Sequence, residues 1–233
     1  MKKIDIEAHF LTEEYLNYML GRKEAPREER GEKAIRQWLT PDLVVPRSVA
    51  FENKLLDFSN QRIAEMDEAG VDIQLVSLVL PGCEQFEASE GMAVARKAND
   101  ELQRIINKQP DRFCGMAALA PQDPEGSAQE LERAIKELGF KGTQINSNAR
   151  GEYLDDKKYW CIFEAAERLG APIYIHPCVP SPYIAKPYIE YGMALSGPPL
   201  GFGAEVILHA MRLIHSGVFD KYPGLQIVLG HLG

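Results

Sequence analysis

Three of the five histidines in this chain stand where short apolar runs end. His176 follows Ile173-Tyr174-Ile175, His231 follows Val228-Leu229-Gly230, and His9 closes the run that starts at Ile4. Imidazoles at strand ends suit metal ligation or proton transfer. Glu7 sharpens the pattern, because strand side chains alternate faces and positions 7 and 9 therefore point the same way. A carboxylate and an imidazole so placed can chelate one divalent ion, with His176 adding a third ligand. Mixed ligation of this kind suits Zn²⁺ or Mn²⁺ and leaves positions open for water or substrate. Each histidine taken alone reads as a hydrogen-bonded strand-end residue with no metal; the set of Glu7, His9 and His176 favours the ion.

His231, flanked by Gly230, is a fourth ligand or an imidazole that acts on substrate or water. Asn146 ends the run Gly142-Thr-Gln-Ile-Asn and either orients a substrate hydroxyl or carboxylate or forms a turn. His209 falls on the apolar side of a predicted helix and reads as a packing residue. His215 near that helix's end complements the dipole. Arg62, Arg112 and Asp67 read as helix-surface or loop-anchoring charges. There is no Gly-x-Ser-x-Gly elbow, and no cysteine adjoins a strand-end histidine in sequence, so covalent nucleophilic catalysis has no support.

The elements that must position these residues alternate along the chain. Strands are predicted at 3–6, 73–80, 113–119, 142–146, 172–175 and 226–229, with helices at 61–69, 89–108, 124–138, 157–169 and 203–216. Ala128, Leu131, Ile135 and Leu138 recur at steps of three and four, a core-facing stripe. Asp123 before Pro124 marks that helix's start, and Gly139 its stop. Gly70 and Gly170 end two other helices in the same way. The strands are continuous apolar runs, as parallel strands covered on both faces require. Repeated strand and helix leave a doubly wound sheet or a (β/α)8 barrel. The first strand lacks a glycine-rich phosphate turn, which favours the α/β barrel. Two long stretches, 11–57 and 178–202, interrupt the rhythm on the face where barrel enzymes keep their sites. The first reads as a partly helical insertion within a single domain, 1–233.

Composition narrows the function. The 233 residues are 45% hydrophobic, and 26 Lys and Arg against 34 Asp and Glu give a net charge of −8. A nucleic-acid partner is therefore not expected. No stretch approaches the roughly 20 apolar residues that span a bilayer, so no membrane partner is expected and the chain reads as cytoplasmic. The four cysteines form no CxxC pair and read as reduced, mostly buried thiols.

At these residues the chain resembles a known family. Glu7-Ala-His9-Phe, the run Met66 to Ile73, Pro110-Asp-Arg-Phe113 and Ala120-Pro-Gln-Asp-Pro124 belong to one pattern. So do Gly139 to Asn146, Tyr174-Ile-His-Pro177 and Val228-Leu-Gly-His-Leu-Gly233. Together they are similar to the amidohydrolase-superfamily decarboxylases of the aminocarboxymuconate-semialdehyde decarboxylase-like branch, and within it to the hydroxybenzoate group. The resemblance implies a (β/α)8 barrel with one Zn²⁺ or Mn²⁺ and no organic cofactor. It makes Glu7, His9 and His176 metal ligands, His231 catalytic and Asn146 substrate-binding. The implied reaction is non-oxidative decarboxylation of a small aromatic carboxylate, in a homo-oligomer, a dimer or a tetramer.

About six of eight βα units are legible before Gly233, so 1–233 is expected to be a fragment of such a barrel. The resemblance places a further ligand, an eighth-strand Asp that is also the proton donor, beyond Gly233, and the isolated chain is then expected to be inactive. Two other readings stay open here. One is a hydrolase of the same superfamily, in which a metal activates water against a lactone or ester. The other is a non-catalytic remnant that binds a metal or a partner.

Overall fold

The computed structural model describes residues 1–231; Leu232 and Gly233, which end the last quoted motif, lie outside the described residues. Strand β1 (Ile4–Phe10) opens the chain and runs on through His9, so that histidine lies inside the strand and not after it. Helix α1 (Glu13–Gly21) follows, its Thr12 hydroxyl accepting from the Tyr15 N–H as an N-cap. Three antiparallel strands come next: β2 (Arg27–Arg30), β3 (Ala34–Thr40) and β4 (Leu43–Ser48). Helix α2 (Val49–Leu56) completes the 11–57 insertion. The expectation of a partly helical insertion holds, and the small sheet inside it was not foreseen. That sheet closes over a buried ionic knot, in which Arg47 bonds Glu28 at 2.7 Å and Gln37 donates to the same carboxylate at 2.8 Å.

From there the strand–helix rhythm is regular. Helix α3 (Asn60–Ala69) leads into β5 (Ile73–Leu78), and α4 (Ala88–Lys108) into β6 (Phe113–Gly115) and β7 (Ala117–Ala118). Helix α5 (Pro124–Lys136) precedes β8 (Thr143–Asn146), and α6 (Trp160–Leu169) precedes β9 (Ile173–His176). The 178–202 stretch holds two single-turn helices, α7 (Lys186–Ile189) and α8 (Met193–Ser196). Helices α9 (Gly201–Ser216) and α10 (Val218–Lys221) then lead to β10 (Ile227–Leu229). Gly70 and Gly170 are left-handed caps, as their positions predicted.

The run read as one strand over 113–119 is kinked at Met116. Its first half pairs with β5, in the sheet β1-β5-β6, and its second with β8, in the sheet β10-β9-β8-β7. Met116 bridges the two by donating to Val76 O at 2.9 Å. All these pairs are parallel, which makes one arc of six strand positions. The arc sorts its side chains by pleat. Val76, Leu78, Ile145, Ile173 and Ile175 join the hydrophobic core under the helices. Ser77, Gln144, Asn146 and His176 are buried but bond to, or lie against, polar neighbours on the inner side. Among the described residues no helix is long and apolar enough to cross a membrane. The four cysteines are free thiols, Cys83 and Cys178 buried and the other two half-buried.

Candidate metal centre

The C-terminal ends of β1, β9 and β10 converge on one volume. Glu7, His176 and His231 each offer a ligand atom there, all within 4.8 Å of one another. His231 Nε2 lies 2.5 Å from Glu7 Oε1, and His176 Nε2 lies 3.7 Å from the same oxygen. The second carboxylate oxygen accepts from the Tyr174 hydroxyl at 2.5 Å. His9 stands edge-on to His176, with ring centroids 4.9 Å apart, and its Nδ1 faces Ser77 Oγ at 3.1 Å. A bulge between Asp5 and Ala8 in the β1–β5 register takes in Glu7 and ends just before His9. His231 adopts a left-handed backbone, φ 51°, and packs edge-on against both His176 and Phe202.

The donor set fits a metal. His176 is 3% exposed, yet neither ring nitrogen has a hydrogen-bond partner among the described residues. A buried imidazole with both nitrogens unpartnered costs free energy unless something else satisfies it. Burial, with His9 and His231 alongside, pulls the His176 pKa down to about 2, so the ring is neutral and carries a free lone pair. Burial also lowers the His9 pKa, opposed by the neighbouring Glu7. Two neutral imidazoles, the exposed His231 ring and one carboxylate make a nitrogen- and oxygen-rich set open on one side.

The sequence-predicted residues are therefore brought together, with one difference in arrangement. His231, read as catalytic, belongs to the tight triad with Glu7 and His176, while His9 sits one ring further out. Asn146 lies across the ladder from His176, as its strand register requires. Its amide, expected to meet substrate, is already engaged: Nδ2 donates to Glu84 at 3.1 Å and Oδ1 accepts from Gln144 at 3.3 Å.

Sequence reasoning missed Tyr174, Glu84 and Glu205. Tyr174 was legible, since it precedes the ligand by two and so shares its strand face with His176. The two buried carboxylates gave no local signal. Glu205, on α9, accepts from Asn148, Tyr153 and the Ser181 N–H at 2.7, 2.9 and 3.2 Å, and so ties the 178–202 stretch to the loop after β8. His209 beside it is fully buried and accepts from the Leu154 N–H, as a packing histidine should. Arg62, read as a helix-surface or loop-anchoring charge, ties α3 to the sheet instead, donating to His9 O in β1 at 3.1 Å and to Gln74 Oε1 in β5 at 2.8 Å.

Comparison with known proteins gives this geometry a context. The amidohydrolase family profile matches residues 4–233. A gamma-resorcylate decarboxylase from Polaromonas sp. is 39% identical over 238 residues, covering 99% of this chain and 67% of the relative. The crystal structure of 5-carboxyvanillate decarboxylase from Novosphingobium aromaticivorans, complexed with manganese and 4-hydroxy-3-methoxy-5-nitrobenzoic acid, is 37% identical with a TM-score of 0.85. It covers 100% of this chain and 65% of that one. A dihydroxybenzoic acid decarboxylase from Polaromonas sp., with bound manganese and 2-nitroresorcinol, is 38% identical with a TM-score of 0.81, over 100% of this chain and 66% of that one. The chain thus spans 65–67% of the length of these relatives. With the parallel arc, these likenesses make the fold an α/β fold of TIM-barrel type. The strand-end cluster and the family match agree: the chain belongs to the amidohydrolase family.

Proposed function

We propose that this chain carries the metal-binding part of a decarboxylase acting on hydroxylated aromatic carboxylic acids. The observation that carries the reading is the buried His176 ring, both nitrogens unpartnered, beside Glu7 and His231. Glu7, His9 and His176 would hold one divalent ion, Mn²⁺ or Zn²⁺, with His231 beside it, and the manganese in two of the similar structures supports the former. Bound there, the ion supplies Lewis acidity and a template for the substrate's carboxylate and neighbouring phenolate oxygen.

The chain's own residues do the rest. Tyr174 holds Glu7 through one carboxylate oxygen and leaves the other facing the histidines. Phe202 packs edge-on against His231. His231, exposed at the mouth, is assigned proton handling at Nε2, where it now meets Glu7 Oε1. The reaction balances as loss of CO₂ from the ring carbon and gain of one proton at that carbon. Asn146 takes a supporting part, holding Glu84, and meets substrate only if its amide leaves that carboxylate.

The reading includes a closed (β/α)8 barrel, supported by the strand order β1-β5-β6 and β7-β8-β9-β10, and a dimer or tetramer. The protein expressed from its complete reading frame tests the function. Incubated with Mn²⁺ and either 2,6-dihydroxybenzoate or 5-carboxyvanillate, it is expected to release one CO₂ per acid consumed and to stop when the metal is chelated. Turnover of lactones with no CO₂ from either acid would overturn the reading.

A further inference from the structure

A line of five side chains runs along the inner face of the sheet, from the metal centre to a carboxylate that the proposed reaction does not use. It begins at His9, whose Nδ1 is 3.1 Å from Oγ of Ser77, its cross-strand neighbour. Ser77 Oγ lies 2.6 Å from Gln144 Oε1. Gln144 Nε2 reaches Asn146 Oδ1 at 3.3 Å and Leu78 O at 3.2 Å. Asn146 Nδ2 ends the line on Glu84, 3.1 and 3.2 Å from its two oxygens. Ser77, Gln144, Asn146 and Glu84 are all buried.

The direction of each bond follows from groups that have no choice. A backbone carbonyl only accepts, so the Gln144 NH₂ must face Leu78 O and its oxygen must face Ser77. An amide oxygen only accepts, so Ser77 donates its single proton to Gln144. Ser77 then has only lone pairs left for His9, and Nδ1 must carry the proton. The far end is fixed in the same way. The N–H groups of Cys83 and Asn146 donate to Glu84 at 2.8 and 2.7 Å, so both carboxylate oxygens accept and the Asn146 NH₂ faces them. Every donor along the line points toward Glu84.

We propose that Ser77 and Gln144 are positioning residues that hold His9 as its Nδ1–H tautomer and keep the Nε2 lone pair free for a metal. The use of that lone pair rests on the metal-centre reading, whereas the tautomer is set by the line of bonds with no ion bound. Fixing a ligand histidine through its other nitrogen raises metal affinity by about ten-fold to a hundred-fold.

Long-range ¹H–¹⁵N NMR of the metal-free, ¹⁵N-histidine-labelled protein tests this, with His9 assigned by His9→Gln. The unaltered protein and Ser77→Thr are expected to show His9 as a single Nδ1–H tautomer, and Ser77→Ala a mixture. Gln144→Glu keeps an acceptor for Ser77 and is expected to keep the tautomer. Calorimetry with Mn²⁺ is expected to show binding weakened about ten-fold in Ser77→Ala and restored in Ser77→Thr. An Nε2–H tautomer in the unaltered protein, or an unchanged tautomer in Ser77→Ala, overturns the proposal. Failure of every one of these proteins to bind Mn²⁺ would defeat the metal-centre reading, while the NMR comparison still decides the tautomer.

Discussion

The hydroxyl of Tyr174 donates to Glu7 Oε2 at 2.5 Å, and these two residues are 167 positions apart in sequence. The bond joins the first strand of the arc to its fifth strand position across the inner face. It leaves Oε1 of the same carboxylate between His176 and His231. Burial, reinforced by the bond to Glu7, raises the Tyr174 pKa, so the phenol remains a donor at neutral pH.

Tyr174→Phe removes that bond and lets Glu7 turn. Mn²⁺ binding is expected to weaken by about ten-fold, as loss of an outer-shell partner typically does. Stability is expected to fall by only about 1 kcal/mol, the worth of one hydrogen bond. Calorimetry and urea unfolding of the same preparation separate the two effects.

His176→Leu should divide stability from metal binding. It replaces a buried ring with two unpartnered nitrogens by an apolar side chain. The metal-free variant is expected to be as stable as the unaltered protein, or more stable by up to about 1 kcal/mol. Its melting temperature is expected not to respond to Mn²⁺, whereas that of the unaltered protein rises with the ion's concentration.

Gly82 is held at φ +67°, and a Cβ there would lie 2.2 Å from Asn146 Nδ2 and 2.3 Å from Glu84 Oε2. Gly82→Ala therefore strains the backbone and pushes apart the end of the Ser77–Glu84 line. A loss of about 2 kcal/mol or more in urea unfolding is expected.

His209 supplies part of the pH dependence, and the buried His176 adds a slope of the same sign. Burial pulls its pKa from 6.5 down to about 3 in the folded protein. Between those values the unfolded chain binds a proton that the folded one refuses, so stability falls as pH drops below about 6.5, by roughly 1.4 kcal/mol per unit for this residue. Above that pH His209 contributes no slope. His209→Gln is expected to make the stability profile shallower between pH 6 and about 4, leaving the slope that His176 contributes, read by urea midpoints across that range.

Much of the arc was legible because its strands are apolar runs bounded by glycine caps. Gly70 and Gly170 marked helix ends to the residue, and Asp123 with Pro124 marked a start. The insertion's sheet was not legible. Its first strand reads Arg-Glu-Glu-Arg, which carries no apolar alternation, and it is held by Glu28 meeting Arg47 and Gln37 from other strands. The ligand histidines stood out because strand ends concentrate chemistry in parallel α/β folds. Glu84 and Glu205 did not, since a charged residue in a loop or helix looks solvent-exposed until its partners are known. The order of the site residues was also hidden: that His231 would lie closer to Glu7 than His9 does depends on how β10 docks beside β9.

The most direct measurement is the metal content of the purified protein after reconstitution with Mn²⁺ and gel filtration, set beside that of His176→Ala and of Glu7→Gln. One equivalent of manganese per chain, lost from both variants, is the predicted result. Manganese absent from the unaltered protein, or retained equally by both variants, would contradict the assignment of Glu7 and His176 to a metal centre.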